Sequence, residues 1–354
     1  MEVFHGISRE RLEDILQKIR ETRIALIGDL CLDVYWQADM TKSELSRETP
    51  HHPLPIVREW MSPGGAGNAA ANIAALGPER VQALGVVGRD WRGDILMRKL
   101  REAGVATGGV VVSERAVTNA YCKPLRKGVS DVVYEDPRLD FNNYEDLPRE
   151  DEARLLEWLD KCASEVDALC VSDQLLYGCI TPAVRERIIS LAKDGLKVIV
   201  DSRDRINLYT GVTLKPNEVE GSRATGIHPA GLSLAQYADA TRRLAAQNKS
   251  NVCMTLGAMG CVYVDSQAVI HIPTDAVPPP IDICGAGDTF LAAFACALAA
   301  GVAPREAAAF ANLAANVTVQ KIGTTGSASP QEIRARHEQI QQLRDESNTK
   351  GVNA

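Results

Sequence analysis

Residues 281–301 read IDICGAGDTFLAAFACALAAG. From Thr289 onward the run is mostly Ala, Leu and Phe, which predicts a helix stopped at Gly301. Gly285, Ala286 and Gly287 then stand at the helix N-terminus, where unpaired amides and the dipole favour an anion. Residues without bulk let a phosphate approach that backbone closely. Asp288, in the first turn, has two readings. It caps the helix, or it is a base that takes a proton from a hydroxyl attacking the phosphate.

The rest of the chain supplies a scaffold for such a helix. Residues 23–32, RIALIGDLCL, form an apolar run ending near Gly-Asp, as a buried parallel strand does. Comparable runs are VQALGVVG, DALCVSD, LKVIVDS, GVTLKPN and NVCMTLG. Helical patterns at 67–76, 91–103, 150–163, 181–193 and 233–247 lie among them. The alternation predicts an α/β fold, a mostly parallel sheet with helices on both faces and ligands at the carboxyl ends of its strands. Residues 34–61 and 108–142 break the rhythm with half-polar alternating segments (LPIVREW, GGVVVSE, NAYCKPL, SDVVYED), read as a small β-sheet lid inserted into a single domain spanning 1–354. The polar tail after Glu338 is expected to fray.

Composition excludes several classes. A net charge of −7 over 354 residues argues against a nucleic-acid partner. Nine scattered cysteines without a CxxC pair read as small buried thiols in a reducing compartment. The N-terminal amphipathic pattern lacks the apolar core of a signal peptide, and no apolar run reaches spanning length. A cytoplasmic protein without a membrane partner is expected.

DICGAGDTF resembles the D-T-x-G-A-G-D signature of the ribokinase/phosphofructokinase-B family of sugar kinases, with Cys284 where that signature has Thr. GDLCLD, PGGAGNAAANIAALG, VGRDWRGDILMRKLREAGV, KPNEVE and TLGAMGC resemble other family motifs in the family's order, from about residue 23 to 335. Within the family, LDVYWQADMTKSELSRETPHHPLPIV and VQKIGTTGSASPQEI resemble the heptose-phosphate kinase branch, although SRETPHHP departs from its pattern. No H-x-G-H nucleotidyltransferase motif occurs, so a kinase unit without a fused second activity is expected.

The resemblance implies a kinase that moves the γ-phosphate of ATP to a hydroxyl of a sugar or sugar phosphate, with Mg²⁺ and possible use of K⁺. It implies Asp288 as base and the amides of Gly285, Ala286 and Gly287 as anion hole. Asp33, Gly64, Gly65 and Asn68 correspond to sugar-binding positions, where a polyol needs a carboxylate, loop amides and an amide side chain. Asn217 and Glu220 match P-N-x-x-E, which organises water-bound Mg²⁺ near the nucleotide. Thr255, Gly257 and Gly260 resemble the nucleotide-holding turn. Asp282 is implied to hold a monovalent cation with carbonyls of residues 321–327, or it bonds local amides. Asn312 lies near the adenine or is a satisfied core side chain. The family also implies a homodimer joined through the lid sheets.

Lys123 is a candidate anchor for a phosphate already on the acceptor, against the reading of lid cations as a solvated rim. Arg126, three residues on in an alternating strand, faces the other side unless a bend at Pro124 turns it to the same ligand. Two rivals remain. One is a non-catalytic sugar-binding regulator on this fold. The other is a nicotinamide-dependent oxidoreductase using GAGNAA from Gly65, but no strand-like run directly precedes it and no fitting acid follows some twenty residues on.

Overall fold

The structure is a computed structural model describing residues 1–130, 132–228, 231–323 and 325–352, with side chains described as far as residue 345. A ten-stranded sheet runs Glu2–Val3, Val269–Ile272, Cys261–Val264, Asn251–Thr255, Thr213–Leu214, Lys197–Ser202, Ala168–Asp173, Arg23–Gly28, Arg80–Gly88, Ala106–Ser113. Pairing is parallel from Asn251–Thr255 to Ala106–Ser113 and antiparallel through the hairpin on the other side.

Strand Arg23–Gly28 shows why this segment is apolar throughout. Ile24 and Leu26 pack into one core with helices Arg9–Ile19, Ala66–Ala75, Ala286–Ala299 and Pro304–Thr318. Ala25 and Ile27 pack into a second core with helices Arg149–Ala163 and Pro182–Lys193. Alternate side chains point to opposite faces, so a sheet covered on both sides leaves no polar position.

The run 23–32 is not one strand. The chain leaves the large sheet after Gly28 and begins Leu30–Asp39, a strand of the second sheet. Gly28 sits so close to its neighbour that a Cβ would lie 2.3 Å from the Ser172 carbonyl oxygen. Asp29 then fixes the crossing by accepting the amides of Gln174, Leu175 and Cys179, each at 2.8 Å. Hydropathy does not mark this break, because Leu30, Leu32 and Val34 are buried as deeply as the strand before them.

The second sheet has the order Ile56–Gly65, Leu30–Asp39, Asn119–Lys127, Val133–Glu135, and Leu139–Phe141 also pairs with Asn119–Lys127. The segment containing GGVVVSE, expected in the lid, instead forms Ala106–Ser113, the edge of the large sheet beside Arg80–Gly88. Its polar residues reflect that edge position, while Val110 and Val111 are buried on opposite faces. The lid therefore starts earlier than 34, at Leu30, and its second contribution starts at Asn119, not 108.

The helices fall within one or two residues of the expected patterns: Ala66–Ala75, Trp91–Glu102, Arg149–Ala163, Pro182–Lys193 and Leu234–Asn248. The tail does not fray where expected. Helix Pro330–Val352 continues through it, with Ile340 buried and Arg344 bonded to Asp275. Among the described residues no helix is long and apolar enough to cross a membrane.

Candidate active site

Helix Ala286–Ala299 is preceded by Gly285 at φ 80°, a left-handed conformation that glycine adopts without strain. No side chain caps this end. The Ala286 amide donates back to the Ile283 carbonyl at 3.2 Å, whereas those of Gly285, Gly287 and Asp288 have no partner among the described residues. This helix start thus leaves three amides open, while that of Ala286 is bonded back into the turn.

Asp288 projects from the first turn, and Asn68 donates to its Oδ2 at 2.7 Å. Burial pushes the Asp288 carboxyl up to about 6; the Asn68 bond opposes this and the charge of Asp201 adds to it. Asn68 is itself held. Asn72 donates to its backbone oxygen at 3.0 Å, and Thr289 donates to Asn72 Oδ1 at 2.7 Å. Asp288 therefore meets a fixed donor, an arrangement a plain helix cap does not need.

The second sheet brings Asp33 and Gly64 to the same place. Asp33 pairs in register with Ser62 on one neighbouring strand and Tyr121 on the other. A Cβ at Gly64 would approach the Asp33 carboxylate to 3.0 Å, and one at Gly285 would approach Asn68 Nδ2 to 3.1 Å, so both glycines keep this junction open. Gly65, at φ 53°, begins helix Ala66–Ala75. A strand does precede GAGNAA directly, contrary to the sequence reading, but it is antiparallel and belongs to the second sheet. The βαβ context of a dinucleotide fingerprint is absent.

Lys123 lies on this face. It pairs with Asp33 at 3.5 Å, donates to the Tyr35 hydroxyl at 3.1 Å and sits over the Tyr35 ring. Burial pushes Asp33 up against the pull of Lys123; burial also opposes the Lys123 charge, but Asp33 and Tyr35 keep its pKa above the ordinary value. Arg126, an exposed residue, pairs with Asp136.

On the other side of Asp288 the structure adds two residues that sequence reasoning missed. Lys215, 2% exposed, pairs with the buried Asp201 at 2.8 Å. Burial alone would lower the lysine pKa, but Asp201, Glu220 and Asp288 together hold it raised. The signal was available: a lysine where an apolar strand exits, and Asp201 next to the end of LKVIVDS.

Asn217 and Glu220 form a reciprocal capping box on helix Glu218–Ala224. Asn217 Oδ1 accepts the Val219 and Glu220 amides, and Glu220 Oε2 accepts the Asn217 amide at 2.8 Å. The same spacing therefore has a structural reason as well as a chemical one. Burial, and then Asp201, push Glu220 up to about 7. Thr255 bonds the Pro216 carbonyl through its amide, which joins this turn to the Gly257–Gly260 turn. Gly257 and Gly260 have φ of 54° and 81°, and a Cβ at Gly260 would lie 2.2 Å from the Ile272 carbonyl oxygen.

Asp282 and Asn312 each have local partners. Both oxygens of Asp282 accept backbone amides at 2.9 Å, Cys284 on one and Gly323 on the other, so the carboxylate ties two loops together. Within 321–327, residue 324 lies outside the described residues. Asn312 donates to the Ile272 carbonyl at 3.0 Å in the core. Among the described residues no group of three or more His, Cys, Asp or Glu forms a metal cage. One amide and one carboxylate at Asn217 and Glu220 fit an ion that keeps most of its water.

A two-face α/β sheet with an open helix N-terminus and a second sheet beside it is the ribokinase-like kinase fold. Ribokinase of Arabidopsis thaliana, complexed with ribose and ATP, superposes with a TM-score of 0.66 at 21% identity over 89% of this chain and 98% of its own. Phosphofructokinase-2 of Escherichia coli, in complex with substrates and products, superposes at 0.70 and 21% identity over 90% and 99%. The chain belongs to the pfkB family of carbohydrate kinases, whose family model matches residues 22–332. The bifunctional protein HldE of Trichlorobacter lovleyi is 32% identical over 334 residues, covering 93% of this chain and 65% of that protein. HldE of Geobacter sulfurreducens is 31% identical over 338 residues, with coverages of 92% and 65%. The chain thus spans just under two thirds of the length of these relatives.

Proposed function

We propose that the chain transfers the γ-phosphate of ATP to a hydroxyl of a sugar phosphate, with a heptose phosphate the first candidate. The observation that carries the reading is Asp288, raised toward neutrality, held by Asn68 and set beside open helix amides. The heptose candidate rests on the likeness of residues 32–57 and 319–333 to the heptose-phosphate kinase branch and on the similarity to HldE.

In this reading Asp288 accepts the proton of the acceptor hydroxyl, which Asn68 and Asp33 orient, while the Gly285–Ala286–Gly287 turn stabilises charge developing on the transferred group. Lys123 holds Asp33 and Tyr35 in place. Lys215 offsets the negative charges around Asp288. ATP supplies the phosphoryl group; Asn217 and Glu220 would hold a Mg²⁺ ion through water, and that ion would supply charge neutralisation at the triphosphate. Thr255, Gly257 and Gly260 bound the nucleotide, with Asn312 behind them. The second sheet acts as a lid that keeps water from the reacting phosphate. Its exposed Ile56, Val57, Val133 and Tyr134 give it a surface for a second copy of the chain. A kinase-coupled screen of sugars and sugar phosphates tests the reading; no turnover with any of them at saturating ATP and Mg²⁺ sinks it.

Two narrower predictions follow from the same site. Glu220→Gln keeps an acceptor for the Asn217 amide but loses the charge that orders metal-bound water. The Mg²⁺ concentration for half-maximal rate should rise about 10- to 100-fold; superimposable Mg²⁺ titrations would remove Glu220 from the metal site. If the loops joined by Asp282 also present carbonyls to a monovalent cation, turnover should be higher in K⁺ than in Na⁺ or choline at constant ionic strength. Equal rates in the three salts leave Asp282 as a loop clamp alone.

A further inference from the structure

Asn68 is the donor that Asp288 meets, and an amide side chain can turn either face toward a neighbour. Turned over, Asn68 would set its own oxygen against the carboxylate. What holds it the right way is buried behind it. Asn68 and Asn72 lie on helix Ala66–Ala75, Thr289 on Ala286–Ala299 and Thr318 at the end of Pro304–Thr318. All four are at most 3% exposed, in a core that also holds the fully buried Ala69, Ala292 and Ala314. Buried polar groups cost free energy unless each is met, and an apolar seam would pack the same helices without that cost.

The direction of every bond in this group is forced. The ionised Asp288 carboxylate only accepts, so Asn68 presents its NH₂ to it at 2.7 Å. Asn68 Oδ1 then faces Asn72 Nδ2 at 3.3 Å, and the same nitrogen donates to the backbone carbonyls of Asn68 at 3.0 Å and Gly326 at 3.5 Å. Those carbonyls also only accept, so Asn72 is kept from turning over. Its Oδ1 faces Thr289, whose single hydroxyl proton goes to it at 2.7 Å, ahead of the Gly285 carbonyl at 3.2 Å. With that proton spent, the Thr289 oxygen accepts from Thr318 at 3.0 Å. Thr318, Thr289, Asn72, Asn68 and Asp288 thus form a line in which each donates to the next.

We infer that Thr318, Thr289 and Asn72 are positioning residues that keep the Asn68 amide turned N–H first toward Asp288. The inference rests on the reading of Asp288 as base. A line that ends on an N–H stabilises a carboxylate over a carboxylic acid, and so favours the form that can take a proton. Removing one donor frees the next amide to turn, and the last bond is weakened or reversed. Asp288 is also faced by Asp201 and Lys215 near the ends of two strands of the large sheet, by Asp33 of the second sheet and by Cys284 in the turn before its helix. Among the described residues none of these is bonded to Thr318, Thr289 or Asn72, so a change within the line leaves them in place.

The test follows the Asp288 carboxyl itself, by ¹³C NMR of the chain labelled at its aspartate side chains, the signal being the one lost in Asp288→Asn. Thr289→Val is close to threonine in shape but lacks the proton, and the Asp288 midpoint should rise by about 1 pH unit, from partial loss of a charge-assisted bond. Thr289→Ser keeps the donor and should restore the midpoint of the unaltered chain. Thr318→Val, one step farther from Asn68, should move it the same way and less. Thr241→Val removes a buried hydroxyl that bonds the Tyr237 carbonyl of its own helix, and should leave the midpoint where it is. In steady-state kinetics the same shift lowers kcat/KM of Thr289→Val about fivefold at pH 6, while the plateau at high pH stays within about twofold. A purely structural role for Thr289 would instead lower the plateau and leave the midpoint alone. An unmoved midpoint in Thr289→Val overturns the inference, and so does a shift that Thr289→Ser fails to reverse. Should Thr289→Val not fold, Thr318→Val decides: an upward shift supports the line and an unmoved midpoint overturns it. A chain that phosphorylates no sugar fails the kinase reading alone, because the carboxyl midpoints are read without ATP or acceptor and still decide the line.

Discussion

Asp288→Asn should lower kcat about 10²- to 10⁴-fold while leaving KM for ATP nearly unchanged. The substituted amide still offers an oxygen to Asn68 Nδ2, so the hydrogen bond at 2.7 Å and the start of the helix are retained while the base is lost. The pH dependence supplies a second readout. Burial holds the Asp288 carboxyl near 6, and only its ionised form can take a proton. In the unaltered chain kcat/KM should therefore rise as pH increases through about 6, and that component should vanish in the Asn variant. A variant with near-normal turnover, or with the same rise near pH 6, would falsify the role of Asp288 as base.

The largest stability effect is expected at Lys215. Lys215→Met removes the only ion-pair partner of Asp201 among the described residues, leaving a carboxylate that is 6% exposed without its cation. Breaking a buried pair from one side costs about 3–5 kcal/mol, measurable by urea unfolding. Removing both charges, in Lys215→Met with Asp201→Leu, should recover a large part of the loss, since no lone charge is then buried. Lys215 also offsets charge at Asp288 and Glu220, so the single variant should move the rise in kcat/KM to higher pH. A loss below about 1 kcal/mol with an unmoved pH profile would mean that water reaches Asp201 and that the pair is not a buried one.

Much of this architecture is written in local pattern. The 3.6-residue periodicity of helices such as Trp91–Glu102 and Arg149–Ala163 is a property of each segment alone, and so is the left-handed glycine before Ala286–Ala299. The order of motifs was enough for the family. Local pattern did not reveal where the chain changes sheets. Residues on both sides of Gly28 are apolar because one core buries Leu30, Leu32 and Val34 together with Ile24 and Leu26, and only the approach of Gly28 to Ser172 separates the two strands. The same limit moved Ala106–Ser113 from the lid to the large sheet, since an edge strand and a lid strand share one half-polar alternation. Charge pairing was equally beyond the sequence. Lys215 meets Asp201 across fourteen residues, Lys123 meets Asp33 across ninety, and Arg203 meets no carboxylate among the described residues, although the three cations look alike in composition. Whether a cation is spent on a neighbour or left for a ligand depends on which strand ends the fold brings together, because Coulomb and hydrogen-bond energies act over a few ångströms of space and not along the chain.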